Sequence, residues 1–330
     1  MRAHALRAAS DMLADCGVPG IQDQPGDMCM NFRQIRPRRV LAIAGLAVVS
    51  MAPALLQSGC DVRVTPSVRS SAGTGANANS APDLRNLTIE QYEELLATHT
   101  RSGDPEVWSV IQNELGNAWS NLETGDRAAN LSKALECYEA ALEETMRDTR
   151  PDDWATTTTN IGNTWQDLPA EDRSANLARA IECYESALEV HTRADYPLKW
   201  ASTQNNLGLA WRRLRTGDRA ENLERAIACL QGAMQVQTRQ ADPLGWARAQ
   251  VNLGATLLTL VEQPGRAEPG LIRSGIGCFK AALLVFTAAE HPERFAEISD
   301  ALAQERQRYE AFNLHTGPGG VPFDEIPAAQ

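Results

Sequence analysis

From residue 87 to residue 311, apolar side chains recur at steps of three and four, the spacing of one face of an α-helix. In the stretch Trp200–Gly245, the positions Trp200, Thr203, Leu207, Ala210 and Trp211 mark the buried face of a first helix. Leu223, Ala226, Ile227, Leu230, Ala233 and Met234 mark a second helix, expected to run from about Ala220 to Arg239. Pro197 stands three residues before Trp200, as Pro105, Pro151, Pro243 and Pro292 stand before Trp108, Trp154, Trp246 and Phe295. Proline suits the first helical turn, where its missing N–H is not needed. Gly217 marks the end of the first helix, because glycine takes the left-handed conformation without strain.

The same pattern occurs four times. Trp108, Trp154, Trp200 and Trp246 are spaced by 46 residues, and Trp119, Trp165, Trp211 and Leu257 follow eleven residues later. Between them lie Leu115-Gly116, Ile161-Gly162, Leu207-Gly208 and Leu253-Gly254. The second helices carry Ala134/Tyr138/Ala141, Ala180/Tyr184/Ala187, Ala226/Leu230/Ala233 and Gly275/Phe279/Ala282. A glycine inside a helix costs about 1 kcal/mol against alanine, so a repeated one implies a close helix–helix approach. The tryptophans are expected to wedge into the core rather than to cage a ligand.

An aromatic, then Leu-Gly, then an aromatic, followed by Ala-x3-Tyr and a further alanine, resembles the tetratricopeptide repeat family. Asn160-Ile161-Gly162-Asn163-Thr164-Trp165 and Ala180-x3-Tyr184-x2-Ala187 carry the likeness best. The period of 46 exceeds the usual ~34 of the family, so this chain is similar to its long bacterial variant. The extra residues are read as a Gly-Asp-Arg-Ala-x-Asn-Leu insertion between the helices and a longer second helix with its exit. The implied fold is all-α, a right-handed superhelical solenoid of antiparallel helix pairs with about ten helices. The repeats fall near 108–153, 154–199, 200–245 and 246–294, flanked by half-repeat caps at 87–107 and 295–311, so that the solenoid fills 85–311. The Glu305–Glu310 stretch suits the polar outer face that a terminal cap needs. The tail, 312–330, is rich in glycine and proline and is expected to be disordered.

The chain before the array is of a different kind. Residues 1–29 show no sustained periodicity and are read as unstructured or as preceding the real start, placed at Met30 or Met28. Basic residues from Arg33 to Arg39 precede an apolar run, Val40–Ala54, and then Ser58-Gly59-Cys60. That is the layout of a secretory signal over 30–60. Its end resembles the lipobox of bacterial lipoproteins, which implies lipidation at Cys60. A cleaved secretory signal and an anchor helix are the alternatives. Residues 61–84 are small and polar, the composition of a flexible linker.

Charge narrows the partners. The net charge is −11 over the chain, and −13 over 61–330 because six basic and four acidic residues lie in the first sixty. An acidic surface argues against nucleic acid and against an electrostatic membrane-binding face. Candidate chemistry is sparse. Cys137, Cys183, Cys229 and Cys278 form one column, but like positions on stacked helices lie beyond the ~7 Å that a disulfide spans. No paired-cysteine or His/Cys motif accompanies them, and neither a phosphate loop nor a dinucleotide fingerprint is present. No catalytic residue, metal or cofactor is therefore assigned. In the tetratricopeptide family the first helices line a concave groove. By resemblance the groove positions are Asn113, Asn117, Thr159, Asn163, Gln166, Asn205, Arg212, Arg213 and Arg248. Asparagine offers a donor and an acceptor at one tip, and arginine can clamp a carboxylate. The alternative is a solvated face, or asparagines that join adjacent helices.

The functional expectation is a non-catalytic scaffold of the bacterial cell envelope, lipid-anchored on the periplasmic or extracytoplasmic side, binding a protein or peptide in its groove. A structural subunit held by its ends or convex surface is the main alternative, with a regulatory domain of an enzyme complex behind it. If the signal is not used, the location is cytoplasmic.

Overall fold

The structure is a computed structural model that describes residue 84, residues 87–316 and residues 321–329. The signal segment 30–60, Cys60, residues 1–29 and nearly all of the linker lie outside the described residues. Among the described residues the chain is all-helical, with ten α-helices and one short 3-10 turn. The helices are α1 (Ile89–Thr98), α2 (Pro105–Asn121), α3 (Arg127–Glu144), α4 (Pro151–Asp167), α5 (Ser174–Leu188), α6 (Pro197–Arg213), α7 (Arg219–Met234), α8 (Pro243–Val261), α9 (Pro269–Ala282) and α10 (Pro292–Thr316). Each packs on its neighbours in sequence, most closely in the pairs α2/α3, α4/α5, α6/α7 and α8/α9, so the array is a helical solenoid. All five prolines of the repeat column stand at the first helical position, as the pattern predicts.

The turn between paired helices is built by the Gly-Asp-Arg-x-x-Asn stretch. Gly125 and Gly217 adopt φ of 82° and 79°. Asp126 and Asp218 then cap the second helix, accepting from Ala129 N at 2.8 Å and from Ala220 N at 2.9 Å. Asn130 and Asn222 reach back to the Thr124 and Thr216 carbonyls at 2.8 and 2.9 Å. Arg127 and Arg173 donate to the Ser120 and Gln166 carbonyls, both at 2.6 Å. The extra residues thus satisfy the exposed carbonyls at the end of one helix and the free N–H groups at the start of the next.

The second helices are shorter than the sequence suggests. The helix expected from about Ala220 to Arg239 ends at Met234. A threonine column follows the stop, in the turn that leads to the next helix. Thr100, Thr192, Thr238 and Thr287 each accept a hydrogen bond from a backbone N–H three residues on, at 3.2, 3.1, 3.1 and 3.3 Å. A hydroxyl that satisfies the backbone locally competes with helix continuation.

The repeated glycine is a contact point. A Cβ on Gly116 would lie 2.6 Å from Cε1 of Tyr138, and one on Gly162 would lie 2.7 Å from Cε1 of Tyr184. In the fourth repeat the backbones themselves approach, and a Cβ on Gly254 would meet the Gly275 carbonyl at 2.9 Å.

At the far end α10 continues to Thr316, past the expected boundary. Glu305, read as part of a polar cap, is buried and accepts from Arg308 at 2.8 Å. Burial pushes its carboxyl above the usual range. The tail expected to be disordered is ordered over 321–329, where Ile326 is 3% exposed in the core cluster that also holds Phe279 and Tyr309.

Candidate functional site

The polar positions of the first helices form a ladder between repeats. Thr157 Oγ1 donates to Asn113 Oδ1 at 3.0 Å, and Asn160 Nδ2 donates to Asn117 Oδ1 at 3.2 Å. Asn206 Nδ2 donates to Asn163 Oδ1 at 2.8 Å, and Asn252 Nδ2 to Asn205 Oδ1 at 3.1 Å. Thr159 and Thr203 face each other at 3.5 Å. Each bond joins a helix to its counterpart one repeat away. Within a repeat, Tyr138 Oη donates to Asn117 Oδ1 at 2.7 Å and Tyr184 Oη donates to Asn163 Oδ1 at 2.8 Å.

This arrangement takes up much of the expected groove set. Asn113, Thr159, Asn163, Gln166, Asn205 and Arg212, six of the nine expected groove residues, are buried rather than presented to a ligand. The four asparagines and threonines among them spend their short polar arms on neighbouring helices, the alternative recognised in the sequence. Gln166 and Arg212 are also partnered. Asn117, Arg213 and Arg248 are half-buried. The structure brings Asn117 and Asn163 into the ladder but gives Arg248 no ladder bond. Glu114 is the member that sequence reasoning missed. It stands where later repeats carry Asn160, Asn206 and Asn252, and accepts from Asn113 at 3.3 Å and Asn117 at 3.2 Å. Burial raises its carboxyl despite those two donors.

A second polar cluster lies at the start of α4. His191, fully buried, sits 3.1 Å by Nε2 from Asp152 Oδ1, and Lys199 bonds the same oxygen and donates to Thr156 Oγ1 at 3.1 Å. The His191 bond, then Lys199, hold the Asp152 carboxyl down to about 2 against the opposing effect of burial. Thr156 donates its own proton to the Asp152 carbonyl at 2.8 Å, and the Asp152–Lys199 ion pair is an ionic tie between α4 and α6.

The outer side carries the tryptophans. Six of the seven are half-buried, and only Trp246 is fully covered, so they are less deeply wedged than their spacing predicts. Each of the six lies under a cation. Lys133, Arg179 and Arg225 stand 3.9, 4.4 and 4.6 Å from the ring centres of Trp119, Trp165 and Trp211. Arg101, Arg147 and Arg193 cover Trp108, Trp154 and Trp200 at 5.5, 5.2 and 6.0 Å. Beside Trp119 a cavity of about 420 Å³ is lined by Leu96, Leu115, Lys133, Glu136 and Cys137. The column cysteines are free thiols, pushed by burial to about 11 in Cys137 and Cys183 and about 12 in Cys229 and Cys278. Thiols held that high are poor nucleophiles at neutral pH.

Among the described residues no helix is long and apolar enough to cross a membrane. No protein-family model and no curated protein matches this chain.

Proposed function

We propose that this chain is a non-catalytic, tetratricopeptide-like scaffold that binds a protein or peptide along its first helices, tethered to the cell envelope through an acylated Cys60. The ladder of side-chain bonds between successive first helices is the observation that carries the reading. It fixes the spacing of those helices before any partner arrives, which lowers the ordering cost of binding. Asn117, Arg213 and Arg248, the half-buried members of the expected set, are the residues assigned to contact. The anchor rests on the sequence of 30–60 alone.

Site-specific photo-crosslinkers at 117, 213 and 248 test the groove, with exposed Glu182 and Glu94 as outer-face and end controls. Adducts from the first three positions and none from the controls support the reading. Adducts confined to 182 or 94 replace it with an envelope subunit held by its convex or end surface, an arrangement that the burial of six groove positions favours. Intact mass of the membrane-extracted protein tests the anchor: a chain beginning at acylated Cys60 supports it, and an unmodified soluble chain beginning at Met1 removes it.

A further inference from the structure

The four second helices present the same outer positions with different chemistry. One column reads Glu136, Glu182, Ala228 and Gly277, and the next reads Glu139, Glu185, Gln231 and Lys280. In α3, α5 and α7 all six of these residues are exposed. In α9 the glycine is buried and the lysine half-buried, because the C-terminal segment lies on them. Ala329 N donates to the Gly277 carbonyl at 2.9 Å, and a Cβ on Gly277 would meet the Pro327 carbonyl at 3.0 Å. Lys280 Nζ donates to the Phe323 and Ile326 carbonyls, both at 2.8 Å, and lies 4.9 Å from the Phe323 ring centre.

Helix α10 supplies the other wall. Arg306 bonds Asp324 at 2.9 Å and stands 5.2 Å from the Phe323 ring centre, while Tyr309 Oη donates to the Val321 carbonyl at 2.8 Å. Ala329 enters the slot formed by Leu253, Leu257 and Cys278. The equivalent slot of the first repeat, between Leu115, Trp119 and Cys137, is the cavity of about 420 Å³. One slot of this kind is therefore filled by the chain itself, at the one repeat whose outer face has exchanged acidic or polar side chains for a glycine and a lysine.

We infer that the outer face of α9, with Arg306 and Tyr309 of α10, is a binding site for a short peptide of the pattern Phe-acidic-acidic-Ile-Pro that makes one 3-10 turn over its first three residues, that residues 321–329 are its resident and displaceable ligand, and that the same segment of a second copy is the ligand it takes in trans. Recognition is mostly through backbone carbonyls, the Phe323 ring and one carboxylate. A site occupied in cis binds in trans only in the fraction of molecules whose own segment has left.

The test uses the full chain and a fluorescent peptide with the sequence of residues 321–330. Ile326→Asp removes the apolar anchor of the resident segment. That variant is expected to bind the peptide saturably in anisotropy titrations, with wild type weaker by about tenfold or more. Adding Lys280→Glu to Ile326→Asp is expected to abolish binding while helical circular dichroism stays unchanged. In wild type the Ala329 amide is expected to resist hydrogen exchange, and Lys280→Ala to release it. No binding by a helical Ile326→Asp variant, equal binding by wild type, or binding that survives Lys280→Glu would overturn the inference. A scrambled peptide that binds equally well would also overturn it.

Discussion

The second and fourth repeats share a backbone plan and differ in what fills it. In the second, α4 buries Thr156, Thr157, Thr159, Asn160, Asn163 and Thr164, and Tyr184 of α5 closes on Asn163. In the fourth, α8 buries Val251, Ala255, Leu257 and Leu258, and Phe279 of α9 stands at the tyrosine position with Ala255 at the asparagine position. The ionic tie changes in the same way. Asp152 and His191 of the second repeat become Leu244 and Phe286, both packed in the fourth repeat's apolar cluster. The third repeat makes the first exchange too, with Leu230 facing the Leu209 column. In these two columns polar groups enter and leave the interior as matched pairs, because one partner left alone in a buried site costs about 1–3 kcal/mol.

That comparison can be broken most strongly at its largest side chains. Tyr184→Ala and Phe279→Ala should each destabilise by about 3–5 kcal/mol, read from urea midpoints, since both rings are almost wholly buried. Exchanging one member of a pair should cost less. Phe279→Tyr should lose about 1–3 kcal/mol by burying a hydroxyl against Ala255, and adding Ala255→Asn should recover part of it. Tyr184→Phe should lose only about 1 kcal/mol, because Asn163 keeps its bond from Asn206. A Phe279→Tyr variant as stable as wild type would show that the pairs are not coupled.

The ionic tie gives a pH signature. The Asp152 carboxyl is held at about 2 in the fold against 3.8 unperturbed, so its contribution is present above the unfolded value and is lost as pH falls towards 2. Its partly exposed position limits the effect to about 1 kcal/mol. Asp152→Asn should therefore flatten the stability curve in that window, and a curve that keeps the wild-type slope would remove the assignment. The smallest effect belongs to the cations over tryptophan. Arg179→Ala should cost about 0.5–1 kcal/mol and alter Trp165 fluorescence, whereas Ser274→Ala, at the same position beside Leu257, should do neither.

Much of this was legible beforehand because it repeats. The prolines, the Leu-Gly pairs and the Tyr column fixed the helix number, their starts and the close contact between paired helices. Helix ends were read less well: the apparent helical pattern runs on past Met234, but there the backbone turns to bonds three residues back, Gln235 N to the Gly232 carbonyl and Val236 N to the Ala233 carbonyl, both at 3.1 Å. The surroundings of the candidate site were hidden for a related reason. Periodicity marks Asn113, Asn163 and Asn205 as polar positions of the first helices, but cannot tell whether they meet a ligand or the polar side chains of neighbouring helices. Glu114 could have been found by comparing its column with Asn160, Asn206 and Asn252. The ordered tail also had a signal, since Lys280 puts a cation in a column that otherwise reads Glu139, Glu185 and Gln231.

The tyrosine–asparagine contact has a consequence for how such a chain can grow. Tyr184 and Asn163 lie 21 residues apart within one unit, so copying that unit copies the lock intact. The ladder bond from Asn206 to Asn163 spans 43 residues and belongs to two units at once. A unit duplicated in the middle of the array brings both halves of every such bond and finds neighbours on either side. A unit appended beyond the fourth would face Val251 and Ala255, which offer no polar arm to receive it. The asparagines thus act as a counter, permitting insertion within the array and marking where it ends.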